Sequence, residues 1–151
     1  TLGIGVNLFA NHVYYWGDYH RDVVMGPERA ARISPTRSAR RRGLRFNIHN
    51  DSPVVPPDIL RLVWSAAARR TRSGELLGPD QAVTVEEALR AVTLDAAFAH
   101  FEDREKGSRA PGKLADLVIL SDDPTEVSLE DIQSIRVEAT LKDGSLIYGD
   151  F

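Results

Sequence analysis

The fold of this 151-residue chain is decided by the stretch Leu44-Arg45-Phe46-Asn47-Ile48-His49-Asn50-Asp51-Ser52-Pro53. Apolar residues alternate at Leu44, Phe46 and Ile48, which indicates a strand with one buried face. Prolines follow directly and cannot continue a central ladder, so the strand ends near Asp51. Side chains at the carboxyl ends of parallel strands face the ligand crevice of an α/β protein. We therefore expect Asp51 to lie in a functional site.

The segment before this strand predicts the order strand, helix, strand. Residues 2–9 are expected to form a strand, and residues 11–20 a polar, aromatic loop. Helical pieces are expected from Gly26 to Arg32 and onward to about Gly43. A helical connection of this kind is what two parallel strands require.

The segment after the prolines predicts helices. An amphipathic helix is expected over 58–70, with its arginines, Arg69 included, turned away from the core. Thr84 and Glu87 form a capping box for the next helix. Thr93 is expected to cap another, whose inner apolar stripe ends at Phe101.

The tail of the chain predicts a second, antiparallel unit. A turn-rich linker over 102–111 leads to a strand that ends at Leu120. Alternating residues from Val137 onward, the pair Asp143-Gly144 and the return through Tyr148 predict a hairpin with a two-residue turn.

Composition narrows the possible partners and location. The formal net charge is −3, which gives no indication of a nucleic-acid partner, and Arg40, Arg41 and Arg42 fit a solvated helix end. There is no cysteine, so disulfides and thiolate zinc ligands are excluded and any metal must use histidine and carboxylate. No apolar run is long enough to span a membrane, and we expect a cytoplasmic protein.

Several motifs, in order, resemble the metal-dependent amidohydrolase superfamily. The signature of that superfamily is similar to Pro111-Gly112-Lys113-Leu114-Ala115-Asp116-Leu117-Val118-Ile119-Leu120. Its helical elbow resembles the set Ala88, Leu89, Thr93 and Ala97. The end of its eighth barrel strand resembles 49–53, with Asn50 where serine is commoner. Residues 77–81 point to the family-3 branch, which includes N-acyl deacylase-like and deformylase-like proteins.

The resemblance implies an α/β fold that is only part of a larger one. Residues 1–105 would be the C-terminal part of a (β/α)8 TIM barrel, with its last two strand–helix units. Residues 106–151 would be the C-terminal half of a small β-sandwich, a composite domain. The histidine pair and the later histidines of the barrel's earlier strands have no counterpart here, so the chain is expected to be a fragment.

The resemblance also implies the chemistry. The parent protein would hydrolyse an amide-type C–N bond of a small-molecule substrate with a divalent metal, which we expect to be zinc. Asp51 would be both a metal ligand and the catalytic group that accepts a proton from the activated water. The residues alone leave open that Asp51 only caps the turn before Pro53.

Three further residues are candidates for substrate binding: His12, His49 and Trp16. His49 is expected to share a face with Asp51 by strand alternation. Loop packing is the alternative for His12 and Trp16, and a metal trio of His12, Asp18 and His20 is the less favoured hypothesis.

A second function class stays open. The isolated chain would be a non-catalytic structural or interaction fragment that holds no tightly bound metal. Exposed apolar surface would then drive self-association into a homo-oligomer.

Overall fold

The computed structural model describes residues 5–150, which form two separate sheets. Strand β1, Val6–Leu8, pairs in parallel with β2, Phe46–Ile48, in the register Val6↔Phe46, Asn7↔Asn47 and Leu8↔Ile48. The parallel unit predicted from the sequence is therefore confirmed. The first residues of the strand predicted over 2–9 lie outside the described part.

Helical segments connect the two strands. They are α1, His12–Tyr19; a π-helical turn, His20–Val24; α2, Pro27–Ala30; and α3, Thr36–Arg41. The loop predicted over 11–20 is wrong, because α1 occupies most of it. Its buried face is Val13 and, one turn later, Gly17, where an added Cβ would lie 2.8 Å from the Thr71 side chain. Since Gly17 carries no apolar side chain, helical periodicity in the sequence is hidden there.

Helices after β2 cover one face of the parallel pair. These are α4, Ile59–Ala68; a 3-10 turn, Pro79–Gln81; α5, Val85–Val92; and α6, Leu94–Ala99. Phe46 and Ile48 are buried against them in a core that includes Leu62, Val63, Ala66, Val83, Ala88 and Ala91. Alternation places Asn7 and Asn47 on the opposite face, where Asn7 is exposed.

Two cap predictions have opposite outcomes. The capping box is confirmed, since the Thr84 amide donates to Glu87 Oε2 at 3.0 Å and the Glu87 amide donates to Thr84 Oγ1 at 3.2 Å. The prediction for Thr93 is wrong for its side chain, although the residue does occupy the position before α6. Its hydroxyl donates backward to the Leu89 carbonyl at 2.7 Å, so it closes α5 instead of opening α6.

Two predicted side-chain directions are also wrong, because each helix ends earlier than its apolar pattern. Helix α4 stops at Ala68, and Arg69 has φ 52, which turns its side chain into the interior, where it is fully buried. Helix α6 stops at Ala99, and Phe101, with φ 62, is 91% exposed instead of completing the inner stripe.

The second sheet is antiparallel, as predicted, with the order β3-β4-β5. The strands are β3, Leu117–Leu120; β4, Val137–Lys142; and β5, Ser145–Gly149. The predicted Asp143-Gly144 turn joins β4 to β5. A 3-10 turn, Asp131–Ser134, buries Ile132 against Trp64 and Ala68 of α4. Among residues 5–150, no helix has both the length and the apolar character to cross a membrane.

Candidate functional site

The two parallel strands end at the same edge, and the candidate residues follow them there. The His49 amide donates to the Leu8 carbonyl at 3.1 Å, which extends the pairing one residue past β2. Phe9 lies just after β1, and His12 is the first residue of α1. Parallel pairing thus places residues that are 37 positions apart in sequence, His12 and His49, beside each other at one edge.

Phe9 is the centre of an aromatic cluster at this edge. Its buried ring has its centroid 4.7 Å from that of His12 and 5.2 Å from that of His49. The Trp16 ring lies 6.1 Å from Phe9 and 5.8 Å from His12, in an edge-on arrangement with the histidine. The structure therefore brings together the three residues predicted to bind substrate, and their binding role stays a prediction.

Asp51 lies at the same edge but leaves the strand direction. It is exposed and has φ 57, and its carbonyl accepts from the Val54 amide at 2.8 Å to form a tight turn. The strand alternation used to predict a shared face for His49 and Asp51 does not apply, because β2 ends at Ile48 and Asp51 has left the extended conformation. Its roles as metal ligand and catalytic group stay predictions.

Electrostatics connect His12 with the other polar groups. The pKa of His12 lies below its ordinary value, mainly because its ring is partly buried among its neighbours, with the nearby His20 and His49 adding to the effect. The Asp51 carboxylate acts in the opposite direction. A neutral imidazole at neutral pH can donate from one nitrogen and accept at the other.

Two asparagines that were not predicted as site residues shape the edge. The Asn50 amide donates to the Pro56 carbonyl at 2.9 Å and to Ser52 Oγ at 2.9 Å, which folds the proline-rich loop back behind Asp51. Asn11 is fully buried, and its Oδ1 accepts from Ser65 Oγ at 2.7 Å, which ties the start of α1 to α4. No local signal distinguishes these residues from surface loop asparagines, because both contacts are tertiary or depend on the turn.

The less favoured metal trio is not assembled. Asp18 accepts from Ser73 Oγ at 2.8 Å and lies 3.3 Å from Arg21, while the His20 ring packs 5.7 Å from that of His12. Across residues 5–150, no group of three or more histidine, aspartate or glutamate side chains is arranged to hold a metal ion. The Asp51 carboxylate is nevertheless a donor of the kind that zinc accepts, and it could supply one ligand of a coordination shell.

Two charged residues of the signature 111–120, Lys113 and Asp116, make hydrogen bonds that stabilise the backbone around them. Lys113 Nζ donates to the carbonyls of Asp103 and Lys106, the latter at 2.9 Å, and so holds the linker. Asp116 Oδ1 accepts from the Asp143 amide at 2.9 Å, which fixes the hairpin turn. These contacts give Lys113 and Asp116 a structural role.

A cavity of about 320 Å³ lies at the other end of the parallel pair, where the strands begin. Its lining includes Gly5, Arg45, Asp95 and Phe98. Ligands of parallel α/β folds bind at the carboxyl ends of the strands, so we place the candidate site at the Asp51 edge and not in this cavity.

The fold and this edge define an α/β protein with polar groups clustered at the carboxyl ends of parallel strands. A sequence model described as the amidohydrolase family matches residues 1–148, and the chain belongs to that family. An N-substituted formamide deformylase from Arthrobacter pascens is 33% identical over 147 residues, which cover 96% of this chain and 27% of the deformylase.

Solved structures have the same fold. A metal-dependent hydrolase of uncharacterized activity from Pyrococcus horikoshii matches with a TM-score of 0.69 and 22% identity, covering 85% of this chain and 26% of that one. An enamidase matches with a TM-score of 0.60 and 20% identity, covering 95% of this chain and 33% of that one. The chain thus spans about a quarter to a third of the length of these relatives.

Proposed function

We propose that this chain is the C-terminal part of a metal-dependent amidohydrolase that hydrolyses an amide-type C–N bond in a small molecule. The observation that carries the proposal is the clustering of His12 and His49 around Phe9 at the carboxyl edge of β1 and β2, where the Asp51 carboxylate is near enough to raise the pKa of His12. Family membership supports hydrolysis, and the name of the deformylase relative supports an amide-type bond.

In this proposal β1 and β2 are the last two strands of a (β/α)8 barrel. Their parallel pairing, the helical connection and the layer of helices on one face support this assignment. The face with Asn7 and Asn47 would line the barrel interior, and the β3-β4-β5 sheet would be half of a β-sandwich.

The metal of the complete enzyme would be a divalent cation, and we propose zinc held by histidine and carboxylate ligands, of which this chain supplies Asp51. Bound there, the cation would supply a water molecule whose pKa is lowered to about 7. Asp51 would help to hold the cation and would take the proton and return it to the leaving nitrogen. His12 and His49 would hydrogen-bond the amide, and Trp16 would pack against the rest of the substrate.

The test is the substitution Asp51→Asn in the complete enzyme that contains this chain. It keeps the size and the turn but removes the proton acceptor, so kcat should fall by roughly 100- to 10,000-fold, as for loss of a general base. Steady-state kinetics on a series of small N-substituted amides, with metal content measured in parallel, gives the comparison. The matched control is Asp80→Asn, at an exposed carboxylate in the turn Pro79–Gln81.

Normal turnover in the Asp51→Asn enzyme would contradict the proposed role of Asp51. Equal losses in the two variants would mean that the effect is one of folding or charge and not of position.

A further inference from the structure

We propose that Arg69 and Ser34 are positioning residues of the candidate site, because they fix the carbonyl of Phe9 and thereby the placement of His12 and His49. The inference rests on the proposed function, which gives those two histidines their role. Arg69 would act through Ser34, and Ser34 through Phe9, so neither is assigned a contact with the substrate.

Arg69 is a fully buried cation whose hydrogen bonds go to backbone carbonyls. Its Nε donates to Leu77 at 3.1 Å, Nη1 to Ser34 at 3.1 Å and Nη2 to Ile33 at 2.9 Å. Burial lowers the pKa of Arg69 to about 10, so the group is still charged at neutral pH. Burying a charge is costly, and a well-packed apolar side chain would serve the core at least as well. Compared with an apolar side chain, the guanidinium adds three hydrogen bonds in fixed directions.

Ser34 connects Arg69 to the site, because it forms hydrogen bonds with both Arg69 and Phe9. It is buried and has φ 45, a left-handed conformation that is strained for serine. Its carbonyl accepts from Arg69 and from the Thr36 amide, the latter at 2.8 Å, and its hydroxyl donates to the Phe9 carbonyl at 2.6 Å. Hydrogen bonds on both sides therefore hold the strained residue in place.

The Phe9 carbonyl also belongs to the candidate site. It accepts a second hydrogen bond, from the His12 amide at 3.1 Å, which is the first turn leading into α1. The Phe9 ring contacts the rings of both His12 and His49. A shift of this one residue would therefore move the backbone of one histidine and the packing of both.

The first experiment is made on the 151-residue chain with Ser34→Gly. Glycine accepts φ 45 without strain, so the substitution removes little but the hydroxyl. The ring proton resonances of His12 and His49 are then followed by NMR, and both are expected to move relative to the unsubstituted chain. Ser108→Gly, in the exposed linker, is the matched control and should leave them in place.

The second experiment uses Arg69→Lys, which keeps the charge but not the three directed bonds. It should move the same two sets of resonances, whereas Arg70→Lys should not, since the Arg70 guanidinium bonds an exposed loop carbonyl, that of Gly74, at 3.0 Å. In the complete enzyme, Ser34→Gly should lower kcat/KM by roughly ten- to a hundredfold, as for a small misplacement of substrate-binding groups.

Unchanged histidine resonances in a folded Ser34→Gly chain would overturn the inference. So would shifted resonances combined with an unchanged kcat/KM in the complete enzyme. Failure of the proposed function would be seen separately. Normal turnover in the Asp51→Asn enzyme would contradict the chemistry assigned to Asp51, and the NMR comparison does not depend on that chemistry.

Discussion

The candidate carboxylate owes its position to the backbone around it. Asp51 has a left-handed φ of 57, a conformation that aspartate tolerates better than most residues because its short polar side chain can bond locally. The loop that follows is folded back by Asn50 through its bond to the Pro56 carbonyl. A residue that only capped this turn would have the same backbone. The effect of the Asp51 carboxylate on the pKa of His12 favours a functional role over capping alone.

The pKa of His12 is sensitive to the Asp51 carboxylate and can be measured. We expect the pKa of His12 to lie below 6.5 in the metal-free chain. It should fall further in Asp51→Asn, because the carboxylate favours the charged imidazole, and rise in His49→Gln, because the second histidine opposes that charge.

The lowered pKa of His12 also makes stability depend on pH. Between the folded pKa and 6.5 the unfolded chain binds more protons, so the contribution of His12 to stability is present above pH 6.5 and is lost as the pH falls through this window.

NMR titration in the presence of a chelator measures these shifts. The Asp80→Asn chain is the control and should leave the pKa of His12 unchanged. An unchanged pKa in Asp51→Asn would show that the carboxylate is too far from the imidazole to act with it.

At the scale of elements, the contact between the end of α2 and the turn after α4 holds the connector on which Ser34 lies. Gly78, with φ 60, is the point of contact: a Cβ added there would lie 1.8 Å from the Ala31 carbonyl oxygen. Gly74 also has a positive φ, of 89, but an added Cβ would meet no atom within 4 Å. The two glycines therefore separate backbone strain from steric overlap.

We expect Gly74→Ala to lower the free energy of unfolding by about 1–2 kcal/mol, the cost of a left-handed alanine. Gly78→Ala adds a backbone clash and should cost roughly 3 kcal/mol or more, in the range of severely destabilising substitutions. Urea unfolding of both variants measures the difference. Equal losses would mean that the connector moves freely away from Gly78.

Local signals explain which elements could be predicted. The capping box at Thr84, the Asp143-Gly144 turn and the alternation ending at Ile48 each depend on neighbouring residues, and each is found in the structure. The sequence does not predict helix α1, because one of the two buried residues of that helix is a glycine. It predicts an outward Arg69 because the helical pattern runs past the real end of α4. At the site, strand order could bring His12 and Asp51 to one edge, but the ring of Phe9 between two histidines is a tertiary contact with no local signature.

At the scale of the whole molecule, the parallel pair is covered by helices on one face only among the described residues. The three-stranded sheet likewise has an apolar outer strand: Leu146, Ile147 and Tyr148 of β5 are 44%, 63% and 60% exposed. This chain covers only 26% to 33% of the relatives that it matches, and in them more chain is available to cover such faces. Isolated, this chain leaves that surface to water or to other copies of itself.

We therefore expect the isolated chain to self-associate, as the fragment hypothesis implies. Light scattering should give a mass above that of one chain, rising with concentration, and metal analysis should find no stoichiometric ion. Ile147→Lys, which places a charge on β5, should weaken association. Val23→Lys is the control: Val23 is similarly exposed, at 67%, but lies in the π-helical turn. Equal weakening of association by both substitutions would exclude β5 as the contact. A monomer with a tightly held metal would contradict the fragment hypothesis itself, because such a chain would carry a complete set of metal ligands of its own.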